Sequence, residues 1–447
     1  PLMTQGQIEA LEHHASDEIK ALYLPKLISG EWCGTMNLTE PQAGSDVGAL
    51  RTRAVPNGDG THAITGQKIF ISWADNDFTE NVCHLVLARL PDAPEGSRGI
   101  SLFMVPKRIP DADGRPGQAN SLGPVSLEHK MGLHGSPTAV MQYDGATGWM
   151  IGEPNRGLAA MFTMMNNARL GVGIQGVGVA EAATQAAVAY ALERRQGRAP
   201  IENGHGTIID HADVRRMLMT MRADTFAARS IALECAVSID LGRATGDADW
   251  LARAAFLTPI AKAFGTDVGI DVASTGMQVH GGMGYIEETG AAQYLRDVRV
   301  TAIYEGTNGI QAMDLVGRKL ADGGEAAARL LDEIEKVAED ARAREPELAR
   351  GVWQAAETLR ETTEWMVSQA PNDRFAGAAP YLRAFGRLLG GHFHLRAALA
   401  EGGQGPRSAL ARFYIRRLLP EHAGLCVHAR EGADDLYAMA AEDFLEG

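Results

Sequence analysis

The chain has 447 residues and a formal charge of −14, from 42 Lys+Arg against 56 Asp+Glu. That acidity excludes a nucleic-acid binder, which needs clustered cations for phosphate contacts, and 45% hydrophobic residues exclude a disordered chain. The four cysteines are too far apart for a metal ribbon or a disulfide framework, so a reduced, cytoplasmic, bacterial setting is expected.

Residues 2–29 read as helical, with Ser16 as an N-cap ahead of Asp17 and Glu18 and with Gly30 as the stop. Residues 32–149 carry short strand-like runs, among them THAITGQKIFIS (61–72) and GISLFMVP (99–106), with PNGDG (56–60) as a hairpin turn. A compact β-barrel or sandwich is expected there. Long helical stretches follow near 157–195, 210–243, 248–279 and 287–319, the pattern of a bundle. The most apolar stretch, Leu170 to Leu192, is broken by polar residues and is read as a buried helix with no membrane span. Past 321 the text is helical again, with Leu330, Leu331, Ile334, Val337, Ala338 and Ala341 on one face. The domain plan is therefore 1–30, 31–152, 153–320 and 321–447.

Five motifs stand out. GVGIQG (171–176) matches a dinucleotide fingerprint but has no strand before it, so it reads as small residues that let two helices approach. LTEPQAGSD (38–46) is a hydroxyl-rich loop that either presents donors to a flavin or phosphate or satisfies its own turn. In QKIFIS (67–72) strict alternation puts Phe70 and Ser72 on one side, suited to a flat ring or to a half-buried strand. QVHGGMGY (278–285) reads as a helix ending in glycines, with His280 structural. In RDVRVTAIYEGTNGIQ (296–311) Glu305 sits in apolar text beside Gly306. It is either a desolvated base in a cleft or a salt-bridged partner of Arg296 or Arg299.

In this order the motifs TEPxAGSD, KxFIS, ERxQG, QxHGGxGY and RDxRxxxIYEGT resemble the acyl-CoA dehydrogenase family, from about residue 4 to 320. The segment EHKMGLHGSPT (128–138), the loop after Gly197 and the extra C-terminal helices are most similar to its 3-methylmercaptopropionyl-CoA dehydrogenase-like branch. The resemblance implies an α+β fold: a central β domain, a helical bundle and an extra helical domain, with most of the family's N-terminal helical domain missing.

It also implies an FAD enzyme. Glu305 would abstract the α-proton of an acyl-CoA, such as 3-methylthiopropanoyl-CoA, while the β-hydride passes to flavin N5 and a trans-2-enoyl-CoA forms. Ala168, beside Arg169, stands where some relatives carry their base. The resemblance assigns Leu38, Thr39, Gly44, Ser45, Phe70, Ile71, Ser72, Arg194, Gln278, Gly281, Gly282 and Thr307 to FAD. It assigns Ser45, Asn166, Arg169 and Gly306 to the acyl-CoA. Arg194 and Gln278 would reach the cofactor of a neighbouring subunit, which implies a homodimer or tetramer. Gly197-Arg198 stands where the family's arginine motif has Phe-Gly. Electron-transferring flavoprotein is the implied electron acceptor. The alternatives are an acyl-CoA oxidase on the same fold, or a truncated, inactive protein that binds acyl-CoA and flavin.

Overall fold

The computed structural model describes residues 2–445, and the chain divides into two compact units, Pro1–Ala168 and Arg169–Gly447. The first opens with helices α1 (Leu2–His14) and α2 (Asp17–Ser29). Ser16 Oγ accepts from Ile19 N and Gly30 closes α2 in the left-handed region, as the sequence predicts. Nine strands follow: β1 (Trp32–Asn37), β2 (Arg53–Pro56), β3 (His62–Ser72), β4 (Asn81–Ala88), β5 (Ser101–Pro106), β6 (Arg108–Pro110), β7 (Pro116–Ala119), β8 (Leu122–Leu127) and β9 (Thr138–Ile151).

One seven-stranded sheet runs β1-β4-β5-β9-β3-β2, with β8 also paired to β9; β6 and β7 form a separate hairpin. Among the strand pairs of the described residues only β1 and β4 run parallel. The long β9 joins the two halves, pairing β3 and β8 along most of its length and β5 at its end. Alternation along β4 serves two cores. Val86 and Ala88 face a cluster with Ile64, Phe103, Met141 and Tyr143. Cys83, Leu85 and Leu87 face another with Leu11, Tyr23 and Leu27 of α1 and α2. Burial on both faces explains why β4 reads as a continuous apolar run.

The second unit is helical. Helix α3 (Gly157–Glu193) enters it, followed by α4 (Ala212–Thr245), α5 (Ala248–His280), α6 (Ala291–Arg299) and α7 (Asn308–Asp314). The helix expected over 287–319 is thus broken, because Glu305 and Gly306 both adopt positive φ, +56° and +83°. The remaining helices are α8 (Glu325–Ala341), α9 (Pro346–Ser368), α10 (Pro371–Ala376), α11 (Ala378–Ala400), α12 (Pro406–Arg417) and α13 (Glu421–Ala429). On α8 the expected face is buried except that Val337 lies at its margin. A single core runs from Val177 to Ala429, so the last helices share it with the bundle.

GVGIQG lies inside α3. A Cβ on Gly176 would come within 2.4 Å of Gly265 O, and one on Gly173 within 2.5 Å of Ala261 O. In return a Cβ on Gly265 or Gly269 of α5 would lie 2.9 Å from Gly173 O or Gly176 O. The motif is a helix crossing, where side chains would push the backbones apart.

Arg387 of α11 is buried between Asp224 of α4, which accepts from its Nη1, and Glu421 of α13, 2.5 Å from its Nε. Arg387→Leu leaves Asp224 buried without its cation and should cost about 3–5 kcal/mol. The double variant Arg387→Leu/Asp224→Leu should recover most of that loss in urea unfolding.

Candidate active site

In the first unit the loop after β1 is tied down from beneath. Lys68 of β3 is fully buried, and its Nζ donates to Leu38 O at 2.9 Å and to Glu40 Oε1 at 2.8 Å. Glu40 also accepts from Arg51 N, Thr52 N, Thr52 Oγ1 and Gln42 Nε2. Burial alone would raise the Glu40 pKa, but Lys68 and these donors override it and hold the carboxyl down at about 2. Reciprocal Glu40–Ala43 backbone bonds close the turn, and Gly44 and Ser45 stand exposed beyond it.

The next strand departs from the expected pleat. Between Lys68 and Ile71 the β3–β9 register shifts, and Phe70 takes φ +62°. The bulge turns Phe70 outward, 59% exposed, while Ile71 is buried and Ser72 is half-buried. Phe70 and Ser72 still flank the buried Ile71, as alternation expects; the extra residue instead leaves Lys68 and Ile71, three apart, both buried. The hydroxyls of Thr39, Ser45 and Ser72 have no internal partner among the described residues. An outward aromatic next to free hydroxyls and an open glycine fits a flat, hydrogen-bonding ring system such as a flavin. Leu38 is buried beneath the loop and Asn166, on α3, is exposed.

In the second unit Glu305 and Gly306 form a left-handed turn ahead of α7, whose N-cap is Thr307; its Oγ1 accepts from Ile310 N at 3.2 Å. The turn's carbonyls are occupied. Gln311 Nε2 donates to Glu305 O and Gly306 O, each at 3.2 Å, and Lys262 Nζ of α5 donates to Gly306 O at 2.9 Å. The N–H groups of Glu305 and Gly306 donate to no internal acceptor among the described residues. Glu305 Oε2 is buried without a hydrogen bond. Burial pushes the carboxyl up to about 7, against Arg169 and Lys262, which favour its charged form. Arg296 instead pairs with Glu287, so Glu305 is not its salt-bridge partner.

Arg169 is buried, and its Nη1 meets Asp314 Oδ2 at 3.3 Å while its Nε is buried without a hydrogen-bond partner among the described residues. It is a charge neighbour of Glu305. Gly306 is confined in turn: a Cβ there would lie 2.7 Å from Gln311 Nε2. The residues missed from sequence are Lys262, Asn308 and Gln311. The signal was a lone lysine in the apolar text of α5.

Arg194 follows the last turn of α3 and is exposed, as are Gln278, Gly281 and Gly282 at the end of α5. Around them Met283, Tyr285 and Ile286 are exposed, Tyr285 to 83%. His280 is structural: its Nδ1 donates to Gly276 O at 2.7 Å and its ring stacks on Tyr190 at 4.5 Å. All four cysteines are free thiols, and no helix among the described residues is long and apolar enough to cross a membrane.

The ionisation of Glu305 is linked to stability. Its pKa is raised on folding, so its neutral form is favoured in the native state and that stability is lost as the pH rises through about 7. Glu305→Gln should therefore be about 1–3 kcal/mol more stable than the parent at pH 8 and equal to it near pH 4.5, by urea unfolding at both.

Three family models match the chain: the acyl-CoA dehydrogenase middle domain over residues 35–146, the acyl-CoA dehydrogenase C-terminal domain over 155–320, and an acetyl-CoA dehydrogenase C-terminal-like domain over 330–440. The chain is 47% identical to 3-methylmercaptopropionyl-CoA dehydrogenase of Ruegeria pomeroyi, over 94% of this chain and 75% of that protein. It is 39% identical to a butyryl-CoA dehydrogenase of Syntrophomonas wolfei, over 74% of this chain and 57% of that protein. An acyl-CoA dehydrogenase from Bacillus anthracis, solved in complex with FAD, shares the fold with a TM-score of 0.76 at 22% identity, covering 96% of this chain and 73% of that one.

Proposed function

The chain belongs to the acyl-CoA dehydrogenase family of FAD-dependent oxidoreductases, and from that premise we propose that Glu305 is its catalytic base. The observation that carries the reading is a buried, unpartnered carboxylate oxygen on a turn whose own N–H groups are free. An α-proton beside a thioester is too weak an acid to leave unaided. A base that ionises near neutrality and a donor for the developing oxyanion together lower that barrier. Glu305 supplies the base, and its backbone N–H supplies a donor to the thioester oxygen. Gln311 and Lys262 hold the turn, and burial desolvates the carboxyl.

FAD, when bound, accepts the β-hydride and so carries the electrons. In the first unit Leu38, Thr39, Gly44, Ser45, Phe70, Ile71 and Ser72 would hold it. In the second, Arg194, Gln278, Gly281, Gly282 and Thr307 would. The exposed Met283, Tyr285 and Ile286 beside Gly281 and Gly282 support cover by a second copy of the chain, in a homodimer or tetramer. Ser45, Asn166, Arg169 and Gly306 are assigned to the acyl-CoA, and 3-methylthiopropanoyl-CoA is the proposed substrate on the strength of the Ruegeria relative. Electron-transferring flavoprotein is the proposed acceptor and the cytoplasm the proposed location. The segments 1–30, 31–152, 153–320 and 321–447 are retained as the proposed domain plan.

Anaerobic titration of the purified protein with a panel of acyl-CoAs tests this. The oxidised flavin band should bleach, with 3-methylthiopropanoyl-CoA among the effective substrates. Glu305→Gln should retain FAD and acyl-CoA yet lose about 10²–10⁴-fold in bleaching rate. Bleaching by that variant at the parent rate would refute the base. A colourless protein that takes up no added FAD would refute the cofactor.

A further inference from the structure

Only eight of the 42 cationic residues are lysines, and Lys262 is fully buried. Burying an ammonium is costly, so its partners show what the fold gains. Its Nζ donates to two neutral acceptors, Gly306 O at 2.9 Å and Asn308 Oδ1 at 2.8 Å. Asn308 is fixed in turn, because its Nδ2 donates to Asp267 Oδ1 at 2.7 Å and to Thr266 Oγ1 at 3.0 Å. One ammonium therefore ties α5 to both sides of Thr307, directly behind the base.

The charges around Glu305 come from three directions. Arg169 approaches from α3, Lys262 from α5 with Asp267 behind it, and Asp314 with Arg318 from the end of α7. The Tyr304 phenol donates to Gln175 and also interacts electrostatically with Glu305. Arg169 is paired with Asp314, which also binds Arg318. Lys262, by contrast, has no carboxylate in direct contact among the described residues.

We propose that Lys262 is a positioning residue for the base: it fixes the left-handed Glu305–Gly306 turn through Gly306 O and supplies a positive charge that favours the ionised carboxylate. This rests on Glu305 being the base. Burial lowers the Lys262 pKa to about 8, close to that of Glu305, so the two groups titrate as a coupled pair. Loss of the lysine proton withdraws the charge that stabilises the carboxylate. The ionisation of Glu305 should therefore spread toward higher pH as Lys262 becomes neutral, and proton abstraction should rise over both titrations.

The test uses the FAD-loaded enzyme and two readouts. The first is the Glu305 carboxyl titration, from infrared difference spectra against Glu305→Gln. The second is the pH profile of flavin reduction by an acyl-CoA. In Lys262→Gln, which keeps donors but no charge, the carboxyl titration should move up by about one unit or more. The acid limb should move with it, with kcat reduced and KM little changed, and Lys262→Arg should restore part of the shift. Lys262→Met, lacking donors as well, should lose more. Should either neutral variant fail to fold, the parent decides: its Glu305 band should show a second inflection as Lys262 titrates. A carboxyl titration unmoved in Lys262→Gln, or a single inflection in the parent, overturns the proposal. Flavin reduction persisting in Glu305→Gln would instead overturn the base reading, and the infrared titration would still report on Lys262.

Discussion

A buried ammonium must find acceptors, and that constraint organises both candidate half-sites. Lys68 and Lys262 are fully buried, and each donates to one loop carbonyl and one side chain. Lys68 anchors the loop after β1, and Lys262 anchors the turn before α7. An exposed loop held only by its own backbone would sample many conformations. One tied to a buried charge has few, because releasing the acceptor strands the charge. The two differ in their second partner. Lys68 has a carboxylate, Glu40, and forms a closed pair, whereas Lys262 has an amide and shares its field between Asp267 and Glu305.

The scaffold behind these turns is built for close approach. The glycines of α3 and α5 bring two helix backbones together, so that Lys262 and Arg169 belong to neighbouring helices whose spacing side chains cannot widen. The C-terminal helices add their apolar stripes to the same core and fasten it through Arg387. Neighbouring residues of the site thus do different work. Glu305 is left with an unpartnered oxygen, while the carbonyls around it are fully engaged.

Much of this was legible in the sequence. The cap at Ser16, the hairpin at 56–60, the six apolar strands and the first three bundle helices follow from local chemistry and periodicity. The short strands β6, β7 and β8 were not, because their Pro and Gly residues read as loop and only β9 or a partner hairpin gives them a ladder. Phe70 was identified, but the bulge and its positive φ were not, because a bulge depends on pairing with β9, which a period of two does not encode. The turn carrying Glu305 was legible from its flanking glycine; the positive φ of the glutamate itself was not. The pairing of Arg169 with Asp314 was not legible, because nothing local announces a partner 145 residues away.

The account's central claim is that Glu305 removes the α-proton. It is tested most directly with an acyl-CoA analogue carrying sulfur at the β-position, deuterated at the α-carbon. Such a compound has no β-hydride to give, so proton abstraction is isolated from electron transfer. The parent enzyme should exchange the α-deuterium with solvent at a rate that rises with pH through about 7, and Glu305→Gln should not. Exchange by Glu305→Gln at the parent rate would contradict the account.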